Sequence, residues 1–362
     1  MKHYNIPVFI PHLGCPFKCI FCNQQKIASQ EKIPDIDDVV KIIEKHLSTI
    51  PVNAGEVELA FFGGNFTAIE RKLQEEYLSA VNPYIEKGRI DSIRISTRPD
   101  FIDLNILTFL EKRGVKTIEL GVQSLNDEVL KTSKRGYRAE DVFKACHLIK
   151  KQGFRLGIQL MIGLPGDDYS LAKETTNTVI SLKPDMVRIY PTLVITGTVL
   201  EKMFHRGQYK PLTLQEAITL AKDLFLMFQK EEINVIRMGL QPSEDLQQAG
   251  TVIAGPYHPS FGELVEQEIF KQQAKKLIQD YFNTVKTQKS VNLYVHEKDI
   301  SKMIGSKRSN ILYLKNVFNL NNIYLKKTTG IKRDWLGVSK INSILPQASS
   351  SRLDFIHSCC QN

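Results

Sequence analysis

The sequence predicts an α/β fold: repeated βα units around a parallel sheet, six of which would curve into a partial barrel, then a small basic α+β C-terminal region. Three observations carry this. Short apolar runs alternate with amphipathic stretches up to about Leu240, the pattern of a parallel sheet with helical crossovers. Capping residues and glycines punctuate the borders. The composition then shifts. Between Lys286 and Lys340, twelve Lys and Arg face three Asp and Glu. That excess equals the +9 net charge of all 362 residues.

Taken in order, the predicted strands are Val8–Pro11, Val57–Phe62, Ser92–Ser96, Thr117–Gly121, Leu156–Ile162 and Met186–Tyr190, each rich in apolar and β-branched residues. The intervening helices are Ile36–Ile50, Ile69–Glu86, Ile102–Arg113, Asp127–Thr132, Ala139–Gln152 and Ser170–Ser181. Asp35 and Ser170 are candidate N-caps, and Gly88, Gly114 and Gly153 candidate stops. A helix over Thr213–Glu232 and a strand over Asn234–Leu240 follow. Residues 250–262 form a Gly/Pro-rich structured loop, and Glu263–Phe282 is a helix. In such folds ligands gather at the C-terminal ends of the strands.

Composition excludes some classes. Charged residues make up 24% and hydrophobic ones 42%, as in a water-soluble globular chain. No apolar run is long enough to span a bilayer. The first residues carry no signal-peptide pattern, so a cytoplasmic location without membrane association is expected. The basic balance suits an anionic partner such as nucleic acid.

The chemistry begins at His12-Leu13-Gly14-Cys15-Pro16-Phe17-Lys18-Cys19-Ile20-Phe21-Cys22. Cys15, Cys19 and Cys22 have the spacing C-x3-C-x2-C just after the first strand. Clustered thiolates in such a chain read as a metal site rather than a disulfide framework, and soft sulfur suits iron–sulfur clusters or zinc. Three thiolates can hold a four-iron cluster with one iron left open. Zinc, with His12 nearby as a fourth ligand, is the alternative. Cys146 falls in the apolar pattern of a helix and reads as core; Cys359 and Cys360 receive no role.

This loop, with Phe21 before its last cysteine, resembles the signature of the radical S-adenosylmethionine (SAM) superfamily. The resemblance covers about residues 1–245 and implies a partial (βα)6 radical SAM barrel. It implies a 4Fe-4S cluster on the three cysteines, with SAM chelated at the open iron. It also implies a reducing electron donor of flavodoxin or ferredoxin type, and a 5′-deoxyadenosyl radical that takes hydrogen from substrate. Further motifs agree. Gly63, Gly64 and Asn65 follow the second strand, at the turn that meets the methionine ammonium in the family. Gln123 and Arg135 resemble the Gln and Arg that contact ribose and methionine carboxylate in the oxygen-independent coproporphyrinogen oxidase branch. Ser96 stands where that branch carries a ribose-binding Glu, and Gln159 where it carries an Asp. Tyr190 ends the sixth strand, where it would flank adenine.

Together with Arg237-Met238-Gly239-Leu240-Gln241, these motifs are most similar to the radical SAM domain of the Elongator catalytic subunit, which modifies wobble uridine in tRNA. Too few residues follow Phe282 for the acetyltransferase domain of that enzyme. Instead, Val291–Val295 reads as a strand, Ile300–Ile304 as a helix, Gly305–Arg308 as a turn, Asn310–Phe318 as a helix and Ile323–Lys327 as a strand. This order resembles a minimal KH RNA-binding module, whose G-x-x-G loop clamps a nucleic-acid backbone. Lys307 and Arg308 are then the RNA-contact residues, and the alternative is a basic appendage that packs on the barrel. The expected organisation is a barrel over 1–245, an extension over 246–285, the KH-like module over 286–330 and a loose tail over 331–362. The expected function is radical SAM chemistry on tRNA or another RNA. The alternatives are a porphyrinogen-type oxidative decarboxylase and a non-enzymatic iron–sulfur RNA-binding protein.

Overall fold

The computed structural model describes residues 3–10, 15, 19–23, 33–52, 55–285, 288–328 and 330–359. His12 and Cys360 lie outside them. The chain divides into two compact units, Met1–Ala217 with Glu231–Pro259, and Ile218–Lys230 with Ser260–Asn362.

The six strands predicted for the βα units form, and the strand predicted over Asn234–Leu240 joins them: β1 (His3–Ile10), β2 (Glu56–Gly63), β3 (Ser92–Thr97), β4 (Val115–Gln123), β5 (Arg155–Ile162), β6 (Met186–Pro191) and β8 (Asn234–Met238). They pair in that order, all parallel, into one curled sheet. A short pair that the sequence did not suggest, β7 (Val194–Ile195) with β9 (Val252–Ala254), is antiparallel. The helices sit close to their predicted spans. Helix Ile36–Leu47 buries Val39, Ile43 and Leu47, one stripe at four-residue spacing. Its Asp35 cap accepts from the Asp38 amide at 2.9 Å, and Asp38 accepts from the Asp35 amide at 3.3 Å, a reciprocal box worth about 1 kcal/mol. The cap of helix Tyr169–Ser181 is Asp168 rather than Ser170, its carboxylate accepting from the Leu171 amide at 2.9 Å.

The two faces of the sheet differ. One carries Val8, Leu59, Ile95, Leu120, Ile158 and Ile189, all buried. The other, by the period of two and the pairing register, carries Glu58, Arg94, Glu119, Gly121, Gln159, Arg188 and Arg237. The inside of the half-barrel is therefore charged. Arg94 bridges the buried Glu58 (Nε to Oε2, 2.6 Å) and Glu119 (Nη1 to Oε1, 2.6 Å), and Arg188 Nη2 lies 3.0 Å from Glu119 Oε1. Arg155 closes the lower end on Glu56 and Glu58.

In the second unit, helix Phe261–Thr284 supplies Phe270, Ala274, Leu277, Ile278 and Tyr281 to a core shared with Val291, Leu293, Val295, Met303, Ile311 and Leu314. Its sheet runs β11 (Asn322–Thr328), β10 (Ser290–His296), β12 (Leu336–Lys340), β13 (Ala348–Ser350). The predicted βααβ order is present, with β10 and β11 parallel. The stretch expected as a loose tail instead supplies β12, antiparallel to β10, and then β13 and helix Arg352–Cys359. Arg352 is buried over the Phe270 ring, 3.1 Å from Asp334 and 3.2 Å from Glu266. Among the described residues no helix is long and apolar enough to cross a membrane.

Candidate cofactor site

β1 ends, at Ile10, beside the turn that ends β2. Gly64 donates its amide to the Ile10 carbonyl at 2.8 Å, and a Cβ on Gly63 (φ +105°) would sit 2.8 Å from that oxygen. Only glycine allows this approach. The far side of the cysteine loop is pinned by Ile20, which donates to the Ser133 carbonyl at 3.3 Å and accepts from the Leu200 amide at 2.8 Å. Ile20 is buried with Val194, Leu200 and Tyr209, and Phe21 packs against the same cluster. Cys19 is buried, and Cys15 and Cys22 are half-buried. No group of three or more His, Cys, Asp or Glu among the described residues is gathered tightly enough to hold a metal ion, these cysteines included.

Arg135 makes the connection from loop to sheet. Its guanidinium donates to Cys19 Sγ at 3.0 Å, to the Gly121 carbonyl at 2.7 Å and to Tyr137 Oη at 3.0 Å. Burial opposes this charge, but Tyr137 and Cys19 outweigh it and hold the arginine pKa above its ordinary value. Burial, then Cys19, pushes the Cys15 thiol up, while Arg98 and Arg135 pull it down. Arg98 in turn chelates Asp100 at 2.8 and 2.9 Å and donates to the Arg135 carbonyl at 2.5 Å.

Gln123 stands at the end of β4, at an irregularity in the β4–β5 register and with φ +67°. A non-glycine residue in the left-handed region costs about 1–3 kcal/mol and marks a constrained position. The bulge folds its side chain back over Gly121, where a Cβ would lie 2.9 Å from Gln123 Nε2 and 3.6 Å from Arg135 Nη2. Gln159 Nε2 donates to Gln123 Oε1 at 3.4 Å. Gln123, Arg135, Gln159 and Cys19 thus converge at the C-terminal ends of β4 and β5. Asn65 is placed differently. Its side-chain carbonyl accepts from Thr97 Oγ1 at 2.6 Å and from the Arg98 amide at 3.3 Å, so it ties β2 to β3. Ser96 lines a small cleft with Ile10, Phe62, Gly64 and Phe66. Tyr190 Oη accepts from Arg188 at 3.3 Å, farther along the sheet. Thr97, Arg98 and Tyr137 are site residues that the sequence reading missed. Cys146 is core, its thiol pushed by burial up to about 12, which makes it inert.

The three sulfurs are not drawn together into a metal site here, but the donor set suits a thiolate-held cluster in its chemistry: three soft donors, one of them hydrogen-bonded by a buried cation, with polar groups at the nearby strand ends. Comparison with known proteins agrees. The Radical SAM superfamily profile matches residues 9–179 and the Radical_SAM C-terminal domain profile residues 184–271. A tRNA uridine(34) acetyltransferase of Methanocaldococcus infernus is 36% identical over 183 residues, covering 45% of this chain and 34% of that protein. An uncharacterized protein of Methanocaldococcus jannaschii is 32% identical over 237 residues, 61% of this chain and 71% of that protein. The structure of the archaeal Methanocaldococcus infernus Elp3 with an N-terminal deletion superposes with a TM-score of 0.60 at 27% identity, over 75% of this chain and 63% of that one. The fold and the site define a radical SAM half-barrel. The chain belongs to the radical SAM superfamily, and the family implies a 4Fe-4S cluster and SAM. It spans about a third of the length of the acetyltransferase it matches.

Proposed function

We propose that this protein holds its 4Fe-4S cluster on Cys15, Cys19 and Cys22, binds SAM against the ends of β2 to β5, and directs the resulting radical chemistry at tRNA. The observation that carries the reading is the buried Arg135–Cys19 hydrogen bond at 3.0 Å. It joins the cysteine loop to the strand ends where Gln123 and Gln159 present amides. A cluster held by Cys15, Cys19 and Cys22 would supply one-electron reductive chemistry toward SAM. The chain's own residues do the rest. Gln123 and Gln159 offer donors and acceptors to vicinal ribose hydroxyls. Gly63 and Gly64 let backbone approach the methionine end, and Arg135, with two of its five N–H groups uncommitted by the three bonds above, faces a carboxylate there. A reductant is required, as for other radical SAM enzymes.

The tRNA assignment draws on the similarity to tRNA uridine(34) acetyltransferases and on the basic turn after Ile304. Lys307 (φ +52°) and Arg308 (φ +66°) are consecutive left-handed residues, exposed, with no ion pair among the described residues. Asn310 holds the turn by donating to the Gln267 carbonyl at 2.8 Å and the Lys302 carbonyl at 3.1 Å. A strained turn that presents two free cations suits phosphate contact.

The test is anaerobic reconstitution followed by assay for 5′-deoxyadenosine. Wild type should cleave SAM when reduced, and Cys19→Ala should lose both iron absorbance and cleavage. A fully loaded, reduced cluster that leaves SAM intact would sink the enzyme reading and favour a non-enzymatic iron–sulfur protein. Full iron retention in Cys19→Ala would overturn the ligand assignment.

A further inference from the structure

We infer that Arg237, with Arg188 and Tyr190 beside it, forms an anion subsite inside the half-barrel that grips an oxyanion of the substrate. The inference rests on the reading of this barrel as a SAM-dependent enzyme, and it names a substrate contact that reading lacks.

Charge on the inner face is nearly balanced, and the imbalance is local. Glu56, Glu58 and Glu119 are met by Arg94, Arg155 and Arg188. Arg237 is the guanidinium left over. It is half-buried, and its hydrogen bond among the described residues runs from Nε to the Gly239 carbonyl at 3.0 Å. It has no carboxylate partner among them. Its register partner on β6 is Arg188, another cation. Two arginines side by side on neighbouring strands repel unless an anion lies between or above them. Burial is the main reason the Arg237 pKa falls below its ordinary value; Tyr190 opposes the fall and Arg188 adds to it.

The position suits substrate rather than cofactor. Gln159 pairs with Arg188 and Arg188 with Arg237. With strands about 4.8 Å apart, Arg237 lies roughly 10 Å across the sheet from Gln159. A ligand held at Gln123 and Gln159 therefore leaves room for a second molecule before Arg237 is reached. Tyr190 adds a phenol to the same patch, and the Arg188 guanidinium lies 5.0 Å over the Phe62 ring. Free guanidinium N–H groups recognise planar or tetrahedral oxyanions bidentately. The ligand chemistry is a phosphate or a carboxylate; for a tRNA substrate it is the phosphate flanking the modified nucleoside.

The experiment titrates anaerobically reconstituted, full-length protein carrying 15N-arginine with inorganic phosphate, and separately with acetate, while arginine Nε–H resonances are followed. Arg237→Lys and Arg237→Gln identify the Arg237 signal, and thermal melts confirm that both variants fold. The expected result is a saturable shift of the Arg237 signal. Calorimetric affinity should fall on the order of 10-fold in Arg237→Gln and less in Arg237→Lys, the loss of a charge-assisted pair. Tighter phosphate than acetate assigns a phosphate-bearing substrate, and the reverse a carboxylate. No saturable shift, or equal affinity in Arg237→Gln, overturns the subsite. SAM cleavage is measured on the same samples, so failure of the enzyme reading and failure of the anion site give different results.

Discussion

On the proposed reading Cys19 is a cluster ligand, and Arg135, which touches it, is placed to tune it. The perturbation is Arg135→Gln, with Arg135→Lys as the charge-retaining control. The guanidinium nitrogen lies 3.0 Å from Cys19 Sγ. At an effective dielectric of ~20, a unit charge pair at that distance interacts by roughly 5 kcal/mol. Desolvation takes back part of this, and hydrogen bonds to charged groups retain about 1.5–3 kcal/mol net. The reduced cluster carries one more negative charge, so the cation favours reduction. Converted for one electron, about 1.5–3 kcal/mol corresponds to roughly 60–130 mV. Arg135→Gln should therefore lower the reduction potential on the order of 100 mV. Arg135→Lys should lower it less, because one of the three donor directions survives.

The assay is an anaerobic redox titration of reconstituted protein, with iron content measured in parallel. A potential within about 20 mV of wild type in fully loaded Arg135→Gln would refute the reasoning. It would mean that the Cys19 sulfur and the Arg135 charge are uncoupled in the holoprotein. Loss of the fold alone cannot imitate the result, because iron content and potential are read on the same folded sample.

Three other outcomes follow from the geometry. Arg94→Met leaves Glu58 and Glu119 buried with one arginine each, and should cost about 3 kcal/mol in urea unfolding; a loss under 1 kcal/mol would mean that the bridge is immaterial. Asp167 accepts from the Gly163 amide at 3.1 Å, and burial raises its pKa from 3.8 to about 6. The folded carboxyl keeps its proton where the unfolded one has lost it, so this contribution is full below about pH 4 and disappears as pH rises through about 6. Asp167→Asn should thus flatten stability between those values and gain about 1.5–3 kcal/mol at pH 8, solvent screening setting the lower figure; an unchanged pH slope in thermal melts argues against it. Replacing Lys307 and Arg308 by Glu should weaken tRNA binding and reduce the slope of log affinity against log salt by about 2; an unchanged slope removes the turn from the interface.

Much of the barrel was legible because each strand keeps its buried face apolar over several residues. The inner face was not. Glu58, Arg94, Glu119 and Arg188 alternate with apolar residues as solvent-facing positions do, and their partners lie 25 to 69 residues away. The cysteine loop announced itself by spacing, but its Arg135 contact spans 116 residues, and nothing local to Lys134-Arg135-Gly136 reveals a buried guanidinium. Tyr137, two residues on, carried no signal because its hydroxyl acts on backbone carbonyls of β4. The C-terminal segment misled for a related reason. Leu336-Gly337-Val338 is a short run, and it becomes an inner strand only because β10, more than forty residues earlier, offers a free edge. At residues 168–170 two capping residues competed, and the carboxylate of Asp168 took the amide.

The inner charges and the irregularities of the sheet explain each other. The pairing register shifts at three places, where Lys116 and Val122 on β4 and Ile236 on β8 are inserted just before Thr117, Gln123 and Arg237. A bulge re-aims the next side chain and bends its strand, and here the next side chains are Thr117, which donates to Glu58 at 2.6 Å, then Gln123 and Arg237. A shifted register is prone to slip, and a one-residue slip would turn every inner side chain outward. The ladder resists that slip, because moving Arg94 or Glu119 would strand its partner as an unpaired buried charge. On this view the ladder adds little net stability and mainly fixes which residues stand at the strand ends. It holds Gln123 and Gln159 beside the cysteine loop, and it leaves Arg237, beyond the last carboxylate, as the cation still free to take a ligand.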